Sequence, residues 1–281
     1  MNASGASAGL GLLAAATWGG SDFVGGMGAR RSPALLVVAS GHVVSLLVLV
    51  AICLAAHLPL PGTHTLLFAA VGGLEGSLSL VLFYRALSLG AMGLTAALTG
   101  LLTALIPVLY SLFTEGVPAR LTLAGLALGL VAIWLITHTP AGNGPASPPA
   151  ALLLGALAGA GFGSQLIFFK MASSGGVVWN MTAARCAGTV ALLLVILVKP
   201  PRSAGRALWQ FGIPSGLLDT VGTLIYLRAV EFGRLDIAAV VCSLYPAGTI
   251  LLAALVLRER PTRRQLAGVA IALGAVMLLS A

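Results

Sequence analysis

Charged side chains are scarce in this chain of 281 residues, where Asp, Glu, Lys and Arg together make up 8%. Soluble globular proteins carry about 25% charged residues, so this chain cannot cover a surface that faces water. The scarcity excludes a soluble enzyme. Because 59% of the residues are hydrophobic, a disordered chain is excluded as well.

Cysteine is rare too, and the three cysteines lie in separate apolar stretches without a CxxC motif: Cys53, Cys186 and Cys242. A secreted disulfide scaffold is therefore excluded, and we predict no metal site and no cofactor. The phosphate loop GxxxxGK[ST] is absent, which excludes ATP-driven transport by this chain. No HExxH motif occurs, and we predict that the protein is not an enzyme and has no catalytic residues.

The net charge of +8 comes from fifteen Lys and Arg residues against seven Asp and Glu residues. No basic run is longer than a pair, so the pattern fits membrane topology better than nucleic-acid binding. We therefore expect the lipid bilayer and a small-molecule substrate as partners, and no nucleic acid.

Long apolar stretches fill most of the chain. A membrane-spanning helix needs about 20 mostly apolar residues, and these stretches are continuous rather than alternating, which disfavours a β-barrel. The sequence predicts an all-α integral membrane protein with ten transmembrane helices, over 8–27, 33–56, 66–87, 93–113, 120–138, 150–171, 177–198, 207–229, 235–257 and 263–281.

The two halves of the chain repeat each other at an offset of 143 residues. The offset places His42 on Arg185 and Arg85-Ala86 on Arg228-Ala229. Five spans per half is an odd number, so the second copy enters the membrane inverted, an architecture of secondary transporters. We predict a first repeat over 1–138, a linker over 139–149 and an inverted second repeat over 150–281.

Positive charges are unevenly divided between the two sides of this topology. The connections after the odd-numbered spans carry ten Lys and Arg residues, at 30, 31, 85, 199, 202, 206, 258, 260, 263 and 264. The opposite side carries four, at 120, 170, 228 and 234. The richer side is predicted to be cytoplasmic, with both termini outside, in a multi-pass protein of a plasma membrane of the bacterial inner type.

Several stretches resemble the EamA-type branch of the drug/metabolite transporter superfamily. They are Trp18-Gly19, Tyr84–Leu87 with Gly90, Leu227–Gly233, Tyr245-Pro246 and Arg258–Thr262 with Gln265, Gly268 and Gly274. The resemblance covers nearly the whole chain. It implies ten helices in two inverted five-helix repeats, and export or exchange of small metabolites such as amino acids, drugs or nucleobases.

Five ionisable residues are predicted to lie near the bilayer centre, where charge is costly and is a functional candidate by default: Asp22, His42, Glu75, Arg185 and Asp219. Three carboxylates face one permanent cation, so protons or a cationic group are expected to balance the surplus. Arg185 is expected to bind a cargo carboxylate or one of the acids. We favour Glu75 and Asp219 over Asp22 as coupling residues, and a purely structural Arg185–carboxylate pair is the alternative.

Four further residues are substrate-binding candidates. Trp18 and Tyr245 offer rings for stacking and coincide with the family pattern. Thr223 shares a helix face with Asp219, and Gln165 is the residue that the offset places on Asp22. For threonines, a bond to the carbonyl four residues earlier is the alternative role.

Three prolines lie within predicted spans, at Pro107, Pro214 and Pro246. Each lacks a backbone donor, so each is predicted to kink its helix.

The sequence as a whole predicts a secondary active transporter of a small organic metabolite. We expect efflux or antiport by alternating access, coupled to protons. The alternatives are an intramembrane lipid-modifying enzyme, which would cluster its catalytic residues at one interface, and a channel, for which no repeated filter motif is found.

Overall fold

The computed structural model describes residues 3–89, 92–137, 148–201, 205–206, 208–256 and 262–280. Within these ranges every regular element is helical. The α-helices are α1 (Ala3–Ala29), α2 (Ala34–Ala55), α3 (Thr63–Leu89), α4 (Met92–Thr114), α5 (Arg120–Thr137), α6 (Pro149–Met171), α7 (Val177–Val198), α8 (Ile213–Phe232), α9 (Leu235–Cys242), α10 (Tyr245–Val256) and α11 (Arg263–Ser280).

Four of the described helices are long and apolar enough to cross a membrane by themselves: α2, α3, α6 and α7. Their mean hydropathies lie between 1.7 and 2.6. Large apolar side chains also cover their outer faces, and Leu54 and Leu197 are 67% and 76% exposed. A surface of this kind is stable in contact with lipid and not with water, so the chain is a multi-pass membrane protein.

Prolines set several helix boundaries. α2 begins directly after Pro33, and α7 ends at Val198, before Pro200-Pro201. α6 begins at Pro149, a first-turn position where the missing N–H costs nothing. The linker predicted over 139–149 lies outside the described residues as far as position 147.

The span predicted over 235–257 is not one continuous helix, so the described residues contain eleven α-helices where ten membrane spans are predicted. α9 ends at Cys242, two residues form a turn, and α10 begins at Tyr245. Pro246 explains the break, because it has no N–H to donate to the carbonyl of Cys242 and its ring crowds that carbonyl. Broken helices of this kind are common at the centre of transporters.

Pro214 is not in the interior of its α-helix. This residue lies in the first turn of α8, after a wide π-type turn at Leu208–Gly212. Of the three prolines, only Pro107 lies well inside a helix, in α4. Pro246 breaks its helix instead of bending it.

Helices of the first half of the chain pack against helices of the second half, in an arrangement that we call the exchange pattern. α1 packs along α8, and α3 packs along α6. Glycines permit two close crossings, because a Cβ at Gly41 would overlap the backbone of Gly216, and a Cβ at Gly73 would overlap the backbone of Ala184. The offset of 143 converts the first of these contacts into the second.

α9 lies at the centre of the bundle, against α1, α4 and α5. Every residue from Leu235 to Cys242 is buried. This short central helix fixes the position of the break and of Tyr245 beyond it.

Candidate functional site

Six helices enclose a cavity near the break between α9 and α10. Its lining contains six of the residues predicted from the sequence, Trp18, Asp22, Gln165, Asp219, Thr223 and Tyr245, together with Leu80, Thr103, Phe162 and Leu166. Centres of water molecules fit within about 40 Å³ of it. That space admits a few waters, and a metabolite requires the helices to move apart.

Arg185 of α7 forms the polar centre beside the cavity, and it is 5% exposed. Its Nη2 donates to the Asp219 carboxylate, with which it forms an ion pair, and to Thr220 Oγ1 at 3.0 Å. Its Nε also donates to Thr220 Oγ1, at 3.3 Å, and its Nη1 donates to His42 Nε2. All three nitrogens of the guanidinium are therefore engaged by the protein.

His42 is neutral in this arrangement. Because Arg185 donates to Nε2, that nitrogen acts as an acceptor and the ring proton lies on Nδ1. Nδ1 in turn donates to the Val38 carbonyl at 3.0 Å. Of this pair of residues, only Arg185 therefore carries a positive charge.

Two hydroxyl residues complete this centre, and the sequence analysis missed both. Ser77 Oγ lies 2.9 Å from His42 Nε2, and Thr220 contacts Arg185. Ser77 and Thr220 are separated by the same 143 residues as His42 and Arg185. Comparing hydroxyl residues at that offset was the signal that could have found them.

Asp22 of α1 differs from Asp219 in having no cationic partner. No hydrogen bond or ion pair joins its carboxylate to another residue in the part of the chain that the structure describes. Trp18, one turn earlier, donates from Nε1 to Thr223 Oγ1 at 3.3 Å, and Thr223 donates to the Asp219 carbonyl at 2.8 Å. The polar atoms around Asp22 are thus partly occupied, and its own charge is not balanced.

Glu75, on α3, does not line the cavity. Its Oε2 is buried and has no hydrogen-bond partner among the described residues. The reason for the separation is the register, since the offset places Asp219 on Gly76 and not on Glu75. One residue turns a side chain by about 100° around a helix. The structure therefore brings eight of the nine predicted residues together, six in the cavity wall and His42 and Arg185 beside it.

A cluster of three hydroxyl residues lies towards the end of the cavity where α8 begins. Tyr84 is fully buried, and its Oη lies 2.9 Å from Ser215 Oγ. Ser21 Oγ donates to the Ser215 carbonyl at 2.9 Å. Gly25 leaves room for the Tyr84 ring, which a Cβ at that position would overlap. We call Ser21, Tyr84 and Ser215 the hydroxyl cluster.

Four charged residues lie together near the other end of α8, and we call them the ionic cluster: Glu115, Lys170, Arg234 and Asp236. Arg234 donates to Asp236 at 2.9 Å and to the carbonyl of Gly116 at 2.8 Å. Its hydrogen bond with Asp236 raises the pKa of the guanidinium.

The ionic cluster connects the ends of four helices. Lys170, at the end of α6, donates to the carbonyls of Val230 and Gly233 at the end of α8, at 3.0 and 2.9 Å. Glu115, beyond α4, accepts from the Leu235 N–H at the start of α9, at 3.3 Å. Carboxylates at helix starts and ammonium groups at helix ends are both favourable. Sequence patterns could not find this cluster, because its members come from separate segments.

The fold and cavity define a polytopic α-helical membrane protein with a polar centre. Residues 149–281, which include α6 to α11, match the model of the EamA-like transporter family. The resemblance seen in the sequence is confirmed over this part of the chain. A family of transporters disfavours the enzyme and channel alternatives.

Two further comparisons cover about half of the chain and nearly all of it. An uncharacterized protein of Methanocaldococcus jannaschii is 25% identical over 131 residues, which are 46% of this chain and 96% of that protein. That relative is therefore about half as long as this chain. A solved crystal structure superposes with a TM-score of 0.74 at 19% identity, covering 97% of this chain and 95% of that one, and shows the fold alone.

Proposed function

We propose that the protein is a secondary active transporter that moves a small organic metabolite out of the cell, or exchanges it, by alternating access. The observation that carries the proposal is the buried cavity with two carboxylates, walled by helices from both halves of the chain. Carboxylates within a membrane protein are costly to retain without a task. The family match supports transport, and a bacterial inner membrane is the proposed location.

Residues 1–138 and 150–281 would be inverted repeats, joined by the segment 139–149. The exchange pattern of helix pairs supports this proposal, because α1 against α8 corresponds to α6 against α3. The contact between His42 and Arg185 supports it further. Residues related by an inverted repeat meet where the two-fold axis passes, near the membrane midplane.

In alternating access, the hydroxyl cluster and the ionic cluster would open in turn. Trp18 and Thr223 mark the level of the cavity, and Gly233, which Lys170 contacts, lies ten residues beyond Thr223 in sequence. That distance is about 15 Å along a helix. Separation of the ionic cluster would open one side, and separation of the hydroxyl cluster would open the other, as one repeat rocks against its partner.

Protons would be the coupling ion. Asp22 and Asp219 line one cavity, and a single guanidinium compensates only one of them. A proton on the uncompensated carboxylate makes the closed, dry cavity less costly to form. Cargo that occupies the same position displaces that proton, and this competition couples the two fluxes.

Proteoliposomes that contain a pH-sensitive dye test the proposal. A panel of amino acids, nucleobases and aromatic amines is added outside, and internal pH is followed. We expect one or more compounds to drive proton movement through the wild type and through Glu231→Gln, which alters an exposed ion pair. Asp22→Asn should abolish the movement. If no compound crosses the membrane or moves protons with the wild type, the transporter proposal is wrong.

A further inference from the structure

We propose that the cargo is a small organic cation with an ammonium group next to an aromatic or other apolar ring, and that Asp22 binds the ammonium. This inference rests on the proposed function and specifies its substrate class. Three features of the cavity carry it: the balance of charge, the occupation of Arg185 and the nature of the wall.

When Asp22 is ionised, the site carries a net charge of minus one. Asp219 is neutralised by Arg185, whereas Asp22 has no cationic partner among the described residues. The lining contains no other charged side chain. A cation that enters the cavity supplies the missing partner, and an ammonium–carboxylate hydrogen bond is about twice as strong as a neutral one.

Arg185 is not available to a cargo carboxylate. Its donors are directed at Asp219, Thr220 and His42. An amino acid in its zwitterionic form would bring a carboxylate into a cavity that already contains two, with no free cation to receive it. Burying an unpaired carboxylate is costly, so the cavity disfavours amino acids and organic acids.

The wall next to Asp22 suits a ring. Trp18 lies one turn before Asp22 on α1, and its ring is supported by Tyr226, with centroids 5.7 Å apart. Phe162 and Tyr245 contribute further aromatic surface, and Leu80 and Leu166 contribute aliphatic surface. Aromatic faces attract cations within about 6 Å of their centroids, in addition to packing against apolar groups.

Ligands with related skeletons and different charge test the inference. Melting temperatures of the purified full-length protein are measured with 2-phenylethylammonium, tryptammonium, 2-phenylethanol, 3-phenylpropionate and zwitterionic phenylalanine. We expect the two ammonium compounds to raise the melting temperature and the other three to leave it unchanged. This ranking uses the wild type alone and does not depend on the folding of a variant.

Variants locate the ammonium. Asp22→Asn should weaken binding of 2-phenylethylammonium by roughly tenfold or more, because a charge-assisted bond is lost. Asp22→Glu should retain binding, and Glu231→Gln is the control carboxylate outside the cavity. Equal effects of the neutral, anionic and cationic ligands, no effect of the ammonium compounds, or unchanged binding by Asp22→Asn would overturn the inference.

The two proposals fail separately. If the protein moves metabolites in proteoliposomes without preferring cations, the inference of a cation site is wrong and the transporter proposal stands. If the protein binds the ammonium compounds through Asp22 but transports no compound, the transporter proposal is wrong and the inference of a cation site stands.

Discussion

Arg185 donates a hydrogen bond to His42, the residue that precedes it by 143 positions, which is the offset of the proposed repeat. Ser77 and Thr220, which keep the same spacing, flank the pair. If the two proposed repeats were identical in sequence, these two positions would have the same side chain. Here one is a guanidinium and the other is a neutral imidazole. The difference lets one half supply a cation for Asp219.

Removal of Arg185 should destabilise the fold more than removal of the whole ion pair. Arg185→Gln leaves Asp219 buried without its partner, and breaking a buried pair in this way costs about 3–5 kcal/mol. The double change Arg185→Gln with Asp219→Asn leaves no uncompensated charge, so its melting temperature in detergent should lie above that of the single variant. Equal melting temperatures would contradict the paired arrangement.

The crossing of α2 and α8 should not tolerate a methyl group. Gly41→Ala places a Cβ into the backbone of Gly216, and overpacking of this kind costs about 1–3 kcal/mol. Gly9→Ala, in α1, is the matched control, since no neighbouring atom lies within 4 Å of a Cβ there. The melting temperature should be lower than that of the wild type for Gly41→Ala, and unchanged or higher for Gly9→Ala. A lower melting temperature for Gly9→Ala than for Gly41→Ala would contradict the close crossing at Gly41.

The ionic cluster should govern opening on its side of the cavity. Arg234→Gln removes the ion pairs with Asp236 and Glu115, and hydrogen exchange of the segment 225–236 should accelerate about tenfold or more. Arg228→Gln, which alters an exposed pair, is the control and should leave exchange unchanged. Similar exchange in both variants would show that the cluster does not hold the helix ends together.

The inverted-repeat proposal can be tested with two exposed positions that the offset of 143 relates. Single cysteines at Arg31→Cys and Ser174→Cys, in a background without native cysteines, should react with an impermeant thiol reagent from opposite sides of intact cells. The reason is that an odd number of spans separates the two copies. Labelling of both from the same side would end the proposal.

Sequence reasoning located the helices well where prolines and charges mark their ends, as at Pro33, Pro149 and Pro200. It did not find the break after Cys242, because the apolar pattern continues across Ser243 and Leu244 and only the position of Pro246 in its helix decides the outcome. A prolonged apolar stretch in lipid carries no periodicity that separates one helix from two.

The candidate site was predictable where it depended on which residue types lie within the spans. Six predicted residues line the cavity, since charged and aromatic side chains in a membrane protein are directed inward. Glu75 was favoured over Asp22 because it lies at the centre of its span and shares a helix face with Ser79, and neither feature shows which side of the helix faces the cavity. The ionic cluster depends on contacts between helix ends that no single segment encodes.

Accessibility of the cavity from both sides of the membrane tests the central claim most directly. A single cysteine at Thr103, which lines the cavity, is exposed to a small impermeant thiol reagent in right-side-out and inside-out vesicles. A cysteine at Ala132, which is fully buried in the core, is the control. Alternating access predicts that the cysteine at position 103 reacts in both kinds of vesicle and that the control reacts in neither. Reaction of position 103 from one side only, or from neither, would contradict the account.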